Sequence, residues 1–162
     1  MSVNLSSAES KRIFVEKYFD TVYRLAFSRT RNKDYADDIL QDVFLRFIKT
    51  DTEFETEEHI KAWLIRVTLN CTKSLYTSSW FKKTVELSED LVFETEEEGD
   101  VYYATQSLPP KYRTVVHLFY FEDMPISKIA EYLNTKESTV KSQLHRAREM
   151  LKEKLKGEYD FV

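Results

Sequence analysis

The sequence predicts an all-α protein made of two small helical domains joined by a flexible acidic linker. The chain has only two glycines and three prolines in 162 residues, which is few for a sheet protein with many turns. Apolar residues recur every three to four positions both before and after the middle of the chain. Around 81–104 this periodicity fails, and 86–100 holds eight acids and no base. Such a segment buries too little apolar surface to offset its ordering entropy, so we expect domains at 1–80 and 105–157 and a linker at 81–104.

The first domain is predicted to contain three amphipathic helices. Ser6 and Glu9 have the spacing of a capping box, which marks the start of the first. Its apolar stripe is Phe14, Val15, Tyr18, Phe19, Val22, Tyr23 and Ala26. The second stripe is Ile39, Leu40, Val43, Phe44, Phe47 and Ile48. After a polar loop at 50–58, the third is Ile60, Trp63, Leu64, Val67 and Cys71. These faces can bury one another as a small bundle.

The second domain is predicted to contain a helix-turn-helix. Pro109 and Pro110 suit the start of its first helix, which carries Val115, Val116, Leu118 and Phe119. A short helix then carries Ile126, Ile129, Ala130 and Leu133, and Asn134 and Thr135 form a tight turn. The last helix buries Val140, Leu144, Ala147, Leu151 and Leu155. A short helix, a tight turn and a longer basic helix are typical of a DNA-binding module.

Charge separates this last domain from the linker. The segment 105–156 has ten Lys or Arg residues against six acids, a net charge of +4, although the whole chain carries −4. Exposed cations and hydroxyls of the last helix could contact DNA phosphates and base edges. On charge alone, a solvated face with helical pairs such as Glu137 with Lys141 is an equally good interpretation. The helix-turn-helix pattern favours DNA.

Several motifs of the second domain resemble sigma region four, the module that recognises the −35 promoter element. They are Leu108-Pro109-Pro110-Lys111-Tyr112-Arg113, Ile129-Ala130, Thr139-Val140-Lys141-Ser142 and Leu144-His145-Arg146-Ala147-Arg148. The resemblance implies that Lys141, Ser142, His145 and Arg146 face the major groove, with Thr139 and Arg148 near phosphates. Arg146→Ala should cost about 1–3 kcal/mol of −35 discrimination if Arg146 contacts bases, whereas equal loss on every sequence would identify a phosphate contact.

The first domain independently resembles sigma region two. The segment Ala36-Asp37-Asp38-Ile39-Leu40-Gln41-Asp42-Val43-Phe44-Leu45-Arg46 is similar to the helix that docks on the polymerase clamp. The resemblance implies that Asp38, Gln41, Asp42 and Leu45 bind core polymerase. Taken alone, these acids could merely solvate the helix or favour its N-terminus.

The next helix resembles the one that opens the −10 element. Ala62-Trp63-Leu64-Ile65-Arg66-Val67 and Asn70 carry this resemblance, which implies −10 contacts by Arg66, Asn70 and Lys73. Trp63 is on the apolar stripe, so a core role is at least as good an interpretation. Ser74 and Thr77 stand where the family often has aspartate and arginine, which leaves the contacts of that turn open.

Together these motifs resemble the compact extracytoplasmic-function RNA polymerase sigma factors. The predicted function is a bacterial promoter-specificity subunit whose partners are core RNA polymerase, promoter DNA and an anti-sigma factor. A stand-alone helix-turn-helix regulator and a sigma-like decoy that binds polymerase or an anti-sigma factor without initiating are the alternatives.

Other chemistry has little support in the sequence. The three histidines have no metal-ligand spacing with the single cysteine, Cys71, and no glycine-rich phosphate loop is present. His117 lies among core positions. We therefore predict no enzymatic activity, no cofactor and no metal. One cysteine, no signal-like apolar N-terminus and no membrane-length apolar run indicate a cytoplasmic protein.

Overall fold

The computed structural model describes residues 3–5, 7–76 and 104–155. The chain divides into two compact units, Met1–Glu89 and Asp90–Val162. All regular structure in the described ranges is helical, which confirms the predicted fold class. The predicted linker at 81–104 lies outside those ranges except for Ala104, and the domain limits at 80 and 157 remain predictions.

The first unit contains α1 (Ala8–Thr30), α2 (Lys33–Lys49) and α3 (Glu57–Tyr76). All three helices pack against one another. Their inner faces supply a core in which Phe27, Phe47 and Leu64 are fully buried. The three predicted helices are therefore confirmed, and they bury their stripes as a bundle.

The start of α1 differs from the prediction by one residue. Ser7, rather than Ser6, is the N-cap, and its side chain accepts a hydrogen bond from the backbone N–H of Ser10. The predicted box of Ser6 with Glu9 is therefore wrong. Two adjacent serines can each supply the capping hydroxyl, and the sequence pattern alone does not choose between them.

Two residues of the predicted stripes are exposed. Phe19 is 46% exposed and Ile48 is 53% exposed, although both fit the helical period. Phe19 stacks on Phe44 with ring centroids 6.5 Å apart, so it covers the core from outside. Ile48 lies one residue before the end of α2, where neither α1 nor α3 covers it. A stripe wider than the contact between two helices leaves its margins in solvent.

The polar loop between α2 and α3 contains a core residue that periodicity did not identify. Phe54 is 1% exposed, and its ring centroid is 5.9 Å from that of Phe47 and 5.8 Å from that of Trp63. Trp63 also lies 5.9 Å from Phe47, so this half-buried side chain packs against the edge of the core. A single aromatic residue in a polar loop has no periodic neighbours, so the sequence gives no sign of its burial.

The second unit contains α4 (Pro110–Val116), α5 (Ile126–Tyr132) and α6 (Glu137–Leu155). Both α4 and α5 pack on α6. Asn134 adopts a left-handed conformation with φ 54° in the turn between α5 and α6, as the predicted tight turn requires. The helix-turn-helix is confirmed.

One feature of this unit was not predicted. After Val116, α4 continues as a π-helical turn, His117–Phe121. His117 is fully buried, as expected, and its Nε2 lies 3.5 Å from Oε1 of the buried Glu122. A π-turn widens the helix by one residue, and a 3.6-residue period does not distinguish it from a continuing α-helix.

Candidate nucleic-acid interface

The outward face of α6 carries most of the side chains predicted to contact the −35 element. Lys141, Ser142, His145 and Arg146 are exposed, and Thr139 is half-buried. The residues on the other side of the helix are buried, and they are Val140, Leu144, Ala147 and Leu151. The helix thus separates a core face from a polar face that contains five of the six predicted contact residues.

The two arginines of this helix have different partners. Arg146 lies beside Tyr112 of α4, since both residues line one pocket. Arg148 is half-buried, and its Nε donates to the hydroxyl of Tyr120 over 2.7 Å. Its guanidinium carbon also lies 5.8 Å from the ring centroid of Phe119. Arg148 therefore packs against the π-turn, and a phosphate contact by this residue stays a prediction.

A pocket of about 410 Å³ lies between α4 and α6. Its lining is Lys111, Tyr112, Ser138, Thr139, Ser142, Gln143 and Arg146. Sequence reasoning gave no role to Lys111 and Tyr112, although both stand in the motif at the start of α4. Arg146 is the main cause of a lowered pKa at the Tyr112 hydroxyl, and the charge of Lys111 acts in the same direction.

The three residues predicted to contact the −10 element lie together on α3. Arg66, Asn70 and Lys73 are all exposed, and separations of four and three residues put them on one helical face. The opposite side is fixed to α1, where the Nε of Arg29 donates to Oγ1 of the buried Thr72 over 3.0 Å. The departure at Thr77 and the side chain of Ser74 fall outside the described residues.

The acidic segment 53–58, which runs into the first turn of α3, is partly neutralised by α1. The Nζ of Lys17 donates to Glu57 over 2.6 Å and the hydroxyl of Tyr18 donates to it over 3.0 Å. These bonds lower the pKa of Glu57, which stays ionised and directed at α1. Glu53, Glu55 and Glu58 are exposed.

A second surface, on α2, contains the residues predicted to bind polymerase. Asp38, Gln41 and Leu45 are exposed and Asp42 is half-buried. Gln41, Asp42 and Leu45 follow Asp38 by three, four and seven residues, so the four side chains form one stripe. We call it the α2 stripe. Leu45 is 50% exposed, so the stripe combines acids with an uncovered apolar side chain.

Family models and curated relatives agree on the origin of both units. Residues 14–81 match the model described as Sigma-70 region 2, and residues 99–151 match Sigma-70, region 4. The chain is 29% identical over 162 residues to the ECF RNA polymerase sigma factor SigW of Bacillus subtilis, covering 88% of this chain and 87% of that protein. It is 30% identical over 139 residues to SigZ of the same organism, covering 80% and 77%.

The chain belongs to the extracytoplasmic-function RNA polymerase sigma factors. This sigma factor is a promoter-specificity subunit of RNA polymerase, and its family consists of regulators of transcription. A solved structure with the same fold is the sigma factor RpoE of Bartonella quintana in complex with the anti-sigma factor NepR. It has a TM-score of 0.70 and 20% identity, covering 94% of this chain and all of that one. CnrH, solved in complex with the cytosolic domain of CnrY, has a TM-score of 0.64 and 21% identity, covering 95% and 92%.

The ranges that the structure describes contain neither a membrane-spanning helix nor a metal-binding cluster. No helix there is long and apolar enough to cross a membrane. No group of three or more His, Cys, Asp or Glu side chains in those ranges could bind a metal ion.

Proposed function

We propose that this sigma factor binds core polymerase through the α2 stripe, opens the −10 element with α3 and recognises the −35 element with α6. The corresponding domains are 1–80 and 105–157, joined by a linker at 81–104. The observation that carries this proposal is the division of α6 into a buried apolar face and an exposed face with Lys141, His145 and Arg146. A helix of this kind, placed after a short helix and a tight turn, presents cations to the major groove.

The α2 stripe suits a basic partner helix. Asp38 and Gln41 offer carboxylate and amide oxygens to cations, and Leu45 offers apolar area to a docked surface. The charges steer association, while burial of the apolar side chain contributes affinity.

The exposed face of α3 suits a separated DNA strand. Arg66 and Lys73 can neutralise phosphates, and Asn70 can hydrogen-bond the edge of an unstacked base. The contact of Glu57 with Lys17 supports this role, because it turns one carboxylate of the first turn of α3 toward α1.

We also propose that this protein is cytoplasmic, has no enzymatic activity or cofactor, and is bound by an anti-sigma factor. RpoE is solved in complex with the anti-sigma factor NepR, and CnrH is solved in complex with the cytosolic domain of CnrY. The exposed apolar side chains Leu45 and Ile48 give α2 a surface that such a partner could cover.

The test is genome-wide run-off transcription with core polymerase from the source organism, with and without this protein. We expect new initiation at a few sites that share −35 and −10 elements. Polymerase binding without initiation would indicate the decoy instead, and neither binding nor initiation would indicate the stand-alone regulator.

Three variants assign the steps of initiation. Leu45→Ala should weaken polymerase binding, because its side chain is uncovered. Asn70→Ala should leave polymerase binding intact and slow strand opening. Lys141→Ala should reduce the preference for one −35 sequence. Arg12→Ala is the control, since this exposed residue lies on α1, outside the α2 stripe.

A further inference from the structure

One lysine of α1 holds the start of the loop that follows α2. The Nζ of the half-buried Lys11 donates to the backbone carbonyls of Phe47, Ile48 and Thr50 over 3.3, 2.7 and 3.2 Å. An ammonium group has three N–H donors, so these three carbonyls can use all of them. The first two belong to the last turn of α2, where carbonyls lack partners within the helix and favour a cation. The contact therefore fixes the direction in which the chain leaves α2.

The acidic segment 53–58 is held at two further points. The backbone N–H of Val3 donates to the carbonyl of Phe54 over 2.7 Å, and the Phe54 ring is buried in the core. Further along, the Nζ of Lys17 donates to Glu57 over 2.6 Å. These contacts join α1 and the residues before it to the connection between α2 and α3 at its start, its middle and its end.

The acids of this segment lie just beyond the range at which they would repel the −10 strand. Glu58 precedes Arg66 by eight residues, which is about 12 Å along the axis of α3. Charges at 0.1 M salt are screened beyond about 10 Å, so acids that stay in place repel a strand bound at Arg66 only weakly. Glu53 and Glu55 are exposed, and release of the loop from α1 would let them approach that strand.

We propose that Lys11 is a positioning residue for promoter opening, which keeps the acidic segment 53–58 away from the separated −10 strand. This role rests on the proposed function of α3 and deepens it. The contacts of Val3 and Lys17 act in the same way on later parts of the segment. Lys11 contacts α2 beyond Leu45, the last residue of the α2 stripe, so binding of polymerase does not depend on it.

The first experiment measures the rate of promoter opening by reconstituted holoenzyme and, separately, the affinity of the protein for core polymerase. Lys11→Met removes the three hydrogen bonds and retains an apolar side chain. Two carboxylates that approach phosphates to about 6 Å in water should slow opening roughly tenfold, while the affinity for polymerase is unchanged. Lys11→Arg keeps a cationic donor for the carbonyls and should restore most of the rate.

Arg12→Met is the matched control for the loss of one charge on α1. Arg12 is exposed and hydrogen-bonds Glu16 of the same helix rather than the loop. This variant should open promoters at the wild-type rate. A defect as large as that of Lys11→Met would mean that the net charge of α1, and not the position of the loop, sets the rate.

A suppression experiment tests the electrostatic mechanism. Glu53→Gln together with Glu55→Gln should leave the wild-type rate unchanged, because the acids are already held away from DNA. The same pair should restore opening when combined with Lys11→Met, since neutral amides do not repel phosphate. Added salt should also reduce the ratio of wild-type to Lys11→Met rates, because screening shortens the range of the repulsion.

Lys17→Met is a second variant that keeps the test valid if Lys11→Met does not fold. Its ion pair with Glu57 is exposed on both sides, so its loss costs little stability. Opening should slow in this variant too, and Glu57→Gln should suppress the defect. Circular dichroism and urea unfolding check the fold of each variant.

Failure of this role can be told apart from failure of the proposed function. Wild-type holoenzyme that opened no promoter would overturn both. Normal opening by the wild type, with a Lys11→Met defect that persisted in the combined variant and in high salt, would make Lys11 a purely structural contact and overturn its positioning role alone. Wild-type opening by folded Lys11→Met, or a loss of polymerase affinity that accounts for its whole defect, would do the same.

Discussion

At Asp42 a single carboxylate joins α2 to α3. Its Oδ1 accepts a hydrogen bond from Nε of Arg46 over 3.2 Å, and its Oδ2 accepts one from the thiol of Cys71 over 3.3 Å. The bond with Arg46 lowers the pKa of Asp42. Burial, followed by the bond to Asp42, raises the pKa of Cys71 to about 11. The half-buried cysteine is therefore a structural contact between two helices.

The raised pKa predicts that Cys71 reacts slowly with alkylating reagents. The thiolate is the reactive form, so at pH 8 a pKa of about 11 in place of 9.0 lowers the rate roughly a hundredfold. The rate should rise tenfold per pH unit up to that pKa. Iodoacetamide labelling followed by mass spectrometry measures it, with the urea-unfolded chain as the reference.

Asp42→Asn tests the cause of this shift. Loss of the carboxylate charge should lower the thiol pKa and accelerate labelling. Asp38→Asn is the matched control, since Asp38 is exposed on the same helix and the thiol of Cys71 donates to Asp42 instead. Equal labelling of the folded and unfolded wild type would contradict the prediction.

Residue spacing identified which side chains are exposed better than it identified their partners. Arg146 and Arg148 both follow the pattern of exposed cations, yet Arg146 lies beside Tyr112 and Arg148 donates to Tyr120. These tyrosines are about thirty residues away in sequence. Helical periodicity reports burial along one helix, but a hydrogen bond between helices depends on how their axes are placed.

At the scale of the elements, the ends of helices follow local rules. Asn32 caps α2 by accepting from the backbone N–H of Tyr35, and Arg31 ends α1 in a left-handed conformation with φ 52°. Asp123 has φ 53° in the connection before α5. Neither Arg31 nor Asp123 is glycine, the residue that adopts this region without steric cost.

Asp123→Gly and Asp123→Ala should have opposite effects on stability. Glycine removes the crowded Cβ, whereas alanine retains it and lacks the polar side chain that makes aspartate tolerable there. We expect the glycine variant to be the more stable of the two by about 1 kcal/mol. Urea unfolding followed by circular dichroism measures both.

The same pair of substitutions at Glu153 provides the control. This exposed residue lies within α6, where alanine should be more stable than glycine by about 1 kcal/mol. If alanine were also the better residue at position 123, the left-handed conformation would not be limiting.

The junction of α1 with the start of α3 predicts a pH effect. The bonds from Lys17 and Tyr18 lower the pKa of Glu57. The stability that ionised Glu57 adds to the folded protein is therefore complete above the usual carboxyl pKa, near 4.5. It is lost as the pH falls through the lower pKa that Glu57 has in the folded protein. Glu57→Gln should be less stable than the wild type at neutral pH, and this difference should shrink below about pH 4.5.

Urea titrations between neutral pH and pH 3 test this expectation. Glu58→Gln is the control, because Glu58 is an exposed neighbour in the same first turn. A constant difference between Glu57→Gln and the wild type across this range would show that the ion pair adds nothing to folding.

The six α-helices of the described residues could be predicted from sequence, because each has a periodic apolar face and most have recognisable ends. The π-turn and the burial of Phe54 could not be predicted. The apolar period at the π-turn is the same as that of a continuing α-helix, and Phe54 is a single aromatic residue in a polar loop. The pocket between α4 and α6 could not be predicted from sequence either. Lys111 and Tyr112 become neighbours of Ser142 only when α4 packs on α6.

At the scale of the whole molecule, charge and division into two units argue against strong binding of DNA by the free protein. The chain has a net charge of −4, although 105–156 carries +4. The proposed −10 and −35 contacts belong to different units. Each contact is weak alone, and binding to polymerase makes the second contact intramolecular once the first has formed.

The full-length protein without polymerase should therefore bind a promoter duplex weakly, with strong salt dependence and little preference for its −35 element. Core polymerase should increase the apparent affinity on the order of a hundredfold or more. Fluorescence anisotropy of labelled duplexes at two salt concentrations measures both states, and a duplex with a scrambled −35 element is the control. Leu45→Ala should reduce the gain from polymerase while leaving the weak binding of the free protein unchanged, because Leu45 lies on the α2 stripe and not on α3 or α6. Tight, sequence-dependent binding by the free wild type would instead mean that α6 acts without polymerase, as in a stand-alone regulator.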